Sequence, residues 1–132
     1  MIVVDTSIVV AIMRAERDAP KWVDILDHAR KSIMSVVSYV ETTMVIAGRR
    51  ADADPGQIGD FLRTMQIEVV PVSLEQGAAA IASFMQFGKG RHPARLNLAD
   101  CFSYALAKSR GLPLLFKGDD FAKTDIVPAW RP

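Results

Sequence analysis

The sequence predicts an α/β domain with a mostly parallel β-sheet. Short β-branched apolar runs recur along the chain, and segments with helical periodicity lie between them. No internal repeat or low-complexity linker interrupts this alternation. With 132 residues, half of them hydrophobic, the chain is long enough to form a single domain, 1–132, with its own core.

Four apolar runs are predicted to form the strands. The first is Ile2–Val4, and the second is the weaker run Ile33–Val37. The third, Ile67–Val72, is strongly β-branched, so we expect it to be a central strand. The last, Leu112–Phe116, closes the sheet.

Five helices are predicted from their start signals, which are capping residues and first-turn prolines. The first helix opens at Asp18 with Pro20 and runs to about Lys31, and the second opens at the capping-box pattern Ser38–Glu41 and runs to about Arg49. The third opens at Asp54 with Pro55 and runs to about Gln66, and the fourth opens at a second capping-box pattern, Ser73–Gln76, and runs to about Phe87. The fifth opens at Asn97 and runs to about Ser109. Gly111 suits the residue that follows the last helix.

Acidic residues follow the predicted strands. Asp5 comes directly after the first, Glu41 shortly after the second, and Asp119 and Asp120 after the last, while Asp100 lies in the first turn of its helix. In parallel sheets, sites form outside the carboxyl ends of the strands. We therefore expect these acids to meet at one edge of the sheet.

Taken singly, each acid has an ordinary explanation as a helix cap, a capping-box partner or a turn residue. Their neighbours are apolar, however, and several carboxylates at one edge would repel each other strongly. Such a cluster is tolerable where it binds divalent cations, and Mg²⁺ and Mn²⁺ prefer oxygen ligands. The sequence therefore predicts a Mg²⁺ or Mn²⁺ site.

Phosphodiester hydrolysis suits such a site, because the cation activates water and no protein nucleophile is needed. The other residues that could act in catalysis do not form a recognisable alternative site. Cys101 has no evident base, His28 and His92 are not paired at ligand spacing, and no phosphate-binding glycine loop is present.

The net charge of +1 does not indicate a nucleic-acid-binding surface, but positive charge is concentrated in one segment. The basic loop, residues 89–95, contains Lys89, Arg91, His92 and Arg95, which would either contact RNA phosphates or simply be solvated. Phe84, Met85 and Phe87 in the preceding helix are expected to lie in the core or in a dimer interface.

The expected location is the cytoplasm, with no membrane contact. Cys101 is the only cysteine, so no intramolecular disulfide can form, which favours a reducing compartment. The apolar run at the N-terminus is far too short for a signal or a membrane span.

Four segments resemble the motifs of PIN domains, and in particular of VapC-type toxins, the ribonucleases of bacterial toxin–antitoxin pairs. They are Val3–Ser7, Tyr39–Thr42, Gly90–Ala107, and Leu114–Phe121 together with Thr124–Ile126. The resemblance covers essentially the whole chain. It implies a three-layer α/β/α PIN-like fold, Mg²⁺- or Mn²⁺-dependent cleavage of RNA such as transfer or ribosomal RNA, a homodimer, and a cognate VapB-type antitoxin.

The resemblance also implies roles for individual residues. Asp5, Glu41 and Asp100 become the core acids that are both catalytic and metal-binding. Asp119 is favoured as the fourth because it follows the predicted strand, and Asp120 would orient water or the neighbouring loop. Supporting contacts are expected from Thr6 or Ser7 to Asp5, and from Asn97 as the cap that holds Asp100.

Two other functions remain open from the sequence. A receiver-like regulatory module is also a parallel α/β domain with acids at strand ends, and Lys117 after the last strand invites that comparison. It would need a phosphorylatable aspartate after a central strand, whereas Ile67–Val72 is followed by Ser73. A PIN domain that binds RNA without cleaving it is the other alternative.

Overall fold

The computed structural model, which describes residues 1–132, has a four-stranded sheet between two layers of helices. The strands are β1 (Ile2–Val4), β2 (Ser32–Ser35), β3 (Ile67–Val70) and β4 (Leu114–Leu115). The helices are α1 (Thr6–Met13), α2 (Ala19–Ala29), α3 (Val36–Ala47), α4 (Pro55–Thr64), α5 (Leu74–Phe87) and α6 (Leu98–Arg110), and a 3₁₀ turn spans Phe121–Lys123. The strand order is β3-β2-β1-β4, and every neighbouring pair is parallel.

Alternation along the strands produces the two helical layers. Val3 belongs to a buried cluster with residues of α5 and α6, such as Leu106. Val4 belongs to a second cluster, with Trp22 of α2 and Leu62 of α4. The predicted three-layer α/β/α fold is therefore confirmed. None of the helices is long and apolar enough to cross a bilayer.

The predicted start of α3 is wrong. The helix begins three residues earlier, because Ser35 is its N-cap and accepts a hydrogen bond from the backbone N–H of Val37 at 3.2 Å. Val37, expected in the strand, is already helical. Ser38 and Glu41 consequently do not form a capping box. Both lie within the helix, where their side chains are available for other contacts.

The strands also differ in detail from the prediction. β3 lies at one edge of the sheet, and its Glu68 is exposed, so the expected central position of this strand is wrong. β4 is only two residues long. Helix α1, for which no bounds are predicted, is almost entirely apolar and mostly buried, so it lacks the amphipathic period that marks a surface helix.

Other helix starts form as predicted. Asp54 and Ser73 cap α4 and α5 through their side chains. Asn97 and Asp100 form a reciprocal capping box at the start of α6, and Gly111 ends that helix in the left-handed conformation. Asp18 begins α2 without a capping hydrogen bond, because its carboxylate is paired with Lys117 at 2.9 Å instead.

Candidate active site at the carboxyl edge of the sheet

Asp5, Glu41 and Asp100 come together at the carboxyl end of β1. Asp5 follows β1 and is buried, whereas Glu41 in α3 and Asp100 in α6 are half-buried. The charge of Asp5 contributes to raised pKa values of Glu41 and Asp100, and the charge of Glu41 contributes to that of Asp100. We call this group, Asp5, Glu41 and Asp100, the acidic site.

Asp100 has the most perturbed carboxylate of the acidic site. Burial raises its pKa to about 7, and the charges of Asp5, Glu41 and Asp120 add to the rise, while the backbone N–H of Asn97 opposes it. Burial also raises the pKa of Glu41, and the charge of Asp5 adds to that rise, while the nearby hydroxyl of Thr6 opposes it. Negative charge is therefore concentrated here without a basic partner.

The donor set consists of carboxylate oxygens, which fit Mg²⁺ or Mn²⁺. No three Asp, Glu, His or Cys side chains of the chain stand close enough together to form a ready-made metal cage. A cation at the acidic site would therefore have to draw the side chains inward.

The two aspartates after β4 have different surroundings. The charge of Asp120 contributes to the raised pKa of Asp100. Asp119 lines a cleft of about 510 Å³ that also includes Lys21 and Trp130. β4 ends at Leu115, one residue earlier than predicted, so Asp119 stands four residues after the strand.

Supporting contacts surround Asp5. Ser7 donates to one carboxylate oxygen, Oδ2, through its backbone N–H at 3.0 Å and its hydroxyl at 2.8 Å. The hydroxyl of Thr6 donates to the backbone carbonyl of Ser38 at 3.2 Å. The backbone N–H of Lys117 donates to the Ser7 hydroxyl at 3.0 Å, which attaches the loop after β4 to the acidic site.

A buried serine pair was not anticipated from the sequence. The hydroxyl of Ser103 donates to the other oxygen of Asp5, Oδ1, at 2.8 Å, and lies 2.9 Å from the hydroxyl of Ser38. The only sequence signal is spacing, because Ser38 precedes Glu41 by three residues and Ser103 follows Asp100 by three. Such spacing puts each serine one helical turn from an acid.

The basic loop is divided between packing and exposure. Lys89, Arg91 and Arg95 are exposed, although the Arg91 side chain donates to the carbonyl of Met85 at 3.2 Å. The Nδ1 atom of His92 accepts the backbone N–H of Ala94 at 3.0 Å, and its ring packs edge-on against Phe87. His92 therefore shapes the loop, and Phe87 is a core residue.

Lys117 does not support the receiver-like alternative. Its ammonium lies 2.9 Å from Asp18 and 3.5 Å from Glu16, and these partners raise its pKa. Only its backbone is directed to the acidic site, through Ser7. A receiver-like site would instead need this ammonium beside the phosphate of the modified aspartate.

A parallel three-layer fold with acids gathered after its central strand defines the class of PIN domains, and the PIN-domain family profile matches residues 2–127. Ribonuclease VapC30 of Mycobacterium tuberculosis is 42% identical over 130 residues, which cover 98% of this chain and 99% of that protein. Ribonuclease VapC of Mycolicibacterium smegmatis is 42% identical over 125 residues, or 95% and 97% of the two chains. The chain therefore belongs to the PIN-domain family, among the VapC ribonucleases.

Solved structures agree with this fold at lower sequence identity. The Mycobacterium tuberculosis protein VapC20, described as a Sarcin-Ricin loop cleaving toxin, superposes with a TM-score of 0.76 at 18% identity. A toxin–antitoxin complex from Klebsiella pneumoniae superposes with a TM-score of 0.69 at 17% identity. Both alignments cover the whole of each chain, so the fold extends from end to end.

Proposed function

We propose that this protein is the toxin of a type II toxin–antitoxin pair and acts as a Mg²⁺- or Mn²⁺-dependent endoribonuclease. The observation that carries the proposal is the placement of Glu41 and Asp100 beside the buried Asp5 at the carboxyl end of β1, where burial and the neighbouring charges raise the pKa of Asp100 to about 7. A half-buried site of uncompensated negative charge is suited to a divalent cation. The family membership of the chain supports RNA as the substrate.

In this mechanism three acidic residues share one task, and two neighbouring residues hold them in place. Asp5, Glu41 and Asp100 would hold the cation, which when bound supplies the charge that activates water for attack on a phosphodiester near neutral pH. Ser7 fixes the orientation of Asp5. The capping box with Asn97 fixes Asp100, because each side chain accepts a backbone N–H of the other residue.

We assign the fourth acidic position to Asp120 instead of Asp119. The support is electrostatic, because Asp120 acts on the pKa of Asp100. Asp119, by contrast, lines the cleft with Lys21 and Trp130. Lys89, Arg91 and Arg95 of the basic loop are proposed to meet RNA phosphates, since exposed Arg and Lys are the usual partners of those groups.

Expression in a bacterial host tests the toxin activity. The wild-type chain alone should arrest growth, and Asp5→Ala and Asp100→Ala should relieve the arrest at equal protein levels. Co-expression of a cognate VapB-type antitoxin, encoded beside the gene, should also restore growth. Arrest of equal strength by both alanine variants would contradict the assignment of the acidic site.

A homodimer is the proposed assembly, and the apolar groove between α5 and α6 is its proposed interface. Leu74, Ile81, Phe84 and Leu98 line this groove and are exposed, and Met85 of α5 is exposed as well. Contiguous apolar surface of this kind marks an interaction site. We assign this groove to a second copy of the chain, because the resemblance to VapC-type toxins implies a homodimer.

Sedimentation of the purified protein tests the dimer. Ile81→Asp should yield monomers, whereas Val127→Asp, at an exposed apolar residue outside this groove, should leave the dimer intact. A wild-type monomer, or an Ile81→Asp dimer of unchanged affinity, would refute this interface.

A further inference from the structure

The carboxylate of Asp5 accepts three hydrogen bonds from the protein. Ser7 supplies two of them to Oδ2, and Ser103 supplies the third to Oδ1 at 2.8 Å. An ionised carboxylate has about four lone-pair sites. Asp5 therefore keeps about one site free, which is sufficient for a single bond to a cation.

The direction of the hydrogen bonds between the serines follows from Asp5. Ser103 has one hydroxyl proton, and it is donated to Asp5, which as a carboxylate can only accept. Ser38, whose hydroxyl lies 2.9 Å from that of Ser103, must therefore be the donor between the two. Both serines are almost completely buried, so the chain from Ser38 through Ser103 to Asp5 is enclosed by protein. Successive hydrogen bonds of this kind polarise and strengthen one another.

The serine pair also connects the elements that carry the acids. Ser38 is one turn before Glu41 in α3, and Ser103 is one turn after Asp100 in α6. The contact between their hydroxyls joins these two helices, and the contact to Asp5 joins both to the end of β1. A pair of hydroxyls thus links all three elements of the acidic site.

We propose that Ser103, supported by Ser38, is a positioning residue for cation binding. Ser103 holds the Asp5 carboxylate in one orientation and leaves one lone pair available. The serine pair keeps α3 and α6 in register, so the backbone positions from which Glu41 and Asp100 would reach the cation are fixed. This inference rests on the proposed nuclease function.

Calorimetric titration of Mn²⁺ into the RNA-free protein tests the proposal, with unfolding temperatures and RNA cleavage rates measured in parallel. Ser103→Ala should weaken Mn²⁺ binding by about 10-fold or more, as is common when a residue supporting a metal ligand is lost. Ser38→Ala should weaken Mn²⁺ binding less than Ser103→Ala does, because the hydrogen bond from Ser103 to Asp5 remains. Ser103→Cys, which retains the shape but donates weakly, should fall between wild type and Ser103→Ala.

Ser32→Ala is the matched control. Ser32 is an equally buried serine, but it lies at the N-terminal end of β2, away from the acidic site at the carboxyl edge of the sheet. Its hydroxyl has no hydrogen-bond partner. The control should bind Mn²⁺ and cleave RNA like wild type. If Ser103→Ala does not fold, Ser103→Cys and Ser38→Ala decide the question.

Two failures can be told apart. If wild type binds Mn²⁺ and cleaves RNA, and the folded Ser103 and Ser38 variants bind it equally tightly, the positioning role is refuted and the nuclease proposal stands. If wild type neither binds Mn²⁺ nor cleaves RNA, the proposed function is wrong and the positioning role is wrong with it.

Discussion

Carboxylates in two regions of this protein have opposite electrostatic surroundings. Asp125 accepts hydrogen bonds from the hydroxyl of Tyr104 at 2.6 Å and from the ammonium of Lys108 at 3.0 Å, and these contacts lower its pKa. Asp100 lies among other acids, and burial with their charges raises its pKa to about 7. The same type of side chain is thus paired in one region and unpaired in the other.

The difference separates a structural role from a functional one. The paired carboxylate of Asp125 links α6 to the C-terminal segment and favours the folded state when ionised. The carboxylate of Asp100 opposes folding when ionised and without a cation. A site that costs stability in this way is expected where a ligand provides the missing charge.

Loss of a site carboxylate should have the largest effect on activity. Asp5→Ala should reduce RNA cleavage by more than about 100-fold, because a direct cation ligand should matter more than the supporting contacts that cost about 10–100-fold. Asp125→Asn should cleave RNA within about 2-fold of wild type. Initial rates of cleavage of a purified RNA measure both variants. An equal loss of cleavage rate in Asp5→Ala and Asp125→Asn would contradict the functional difference between the two regions.

The two aspartates after β4 should also differ. Asp120→Asn should lower the cleavage rate by about 10-fold or more, since this charge acts on Asp100 at the acidic site. Asp119→Asn should have a smaller effect, because this side chain lines the neighbouring cleft. A larger loss for Asp119→Asn would return the fourth position to that residue.

Asp100→Asn should stabilise the protein in the absence of metal. The folded-state pKa of Asp100 is above its unfolded value, so the native protein retains a proton that the unfolded chain releases between about pH 4 and pH 7. The wild type should therefore lose stability as the pH rises through this range. At pH 8 the variant should melt higher by about 4 °C, the shift that roughly 1 kcal/mol produces in a domain of this size.

Thermal unfolding in EDTA from pH 4 to pH 8 measures this effect. The difference between the two melting curves should be largest at pH 8 and small at pH 4, where the folded carboxyl group is protonated and the unfolded one is about half protonated. Asparagine retains a side-chain oxygen that can accept the Asn97 N–H of the capping box. A wild-type protein more stable than the variant at pH 8 without metal would contradict the unfavourable charge at Asp100.

The smallest effect is expected at the paired carboxylate. Asp125→Asn should lower the free energy of unfolding by less than about 1 kcal/mol at pH 7, because the ion pair with Lys108 is open to solvent. The folded-state pKa of Asp125 is lowered, so its contribution is present above the unfolded pKa and disappears as the pH falls through the folded value. Urea unfolding at pH 7 and pH 3 should show a smaller difference between variant and wild type at pH 3 than at pH 7.

Much of the fold follows from local signals in the sequence. The caps at Asp54, Ser73 and Asn97 were predicted because a short polar side chain there satisfies backbone N–H groups at a helix start. The parallel sheet followed from apolar runs alternating with helices. Three of the acids, Asp5, Glu41 and Asp100, do lie together in the structure.

The start of α3 shows where local signals fail. The pattern from Ser38 to Glu41 is identical to a capping box, but Ser35 caps the helix and Ser38 is hydrogen-bonded to Ser103, 65 residues further along the chain. That contact depends on the packing of α3 against α6. The spacing of each serine from an acid does not identify its distant partner, so the contact between them was found from the structure.

The central claim, that the acidic site is a cation-dependent nuclease centre, is tested most directly by cleavage of a purified RNA. The wild type should cleave with added Mg²⁺ or Mn²⁺, lose the activity in excess EDTA and regain it when the cation is restored, while Asp100→Asn should remain inactive throughout. Cleavage that persists in EDTA, or that Asp100→Asn performs at the wild-type rate, would contradict the claim.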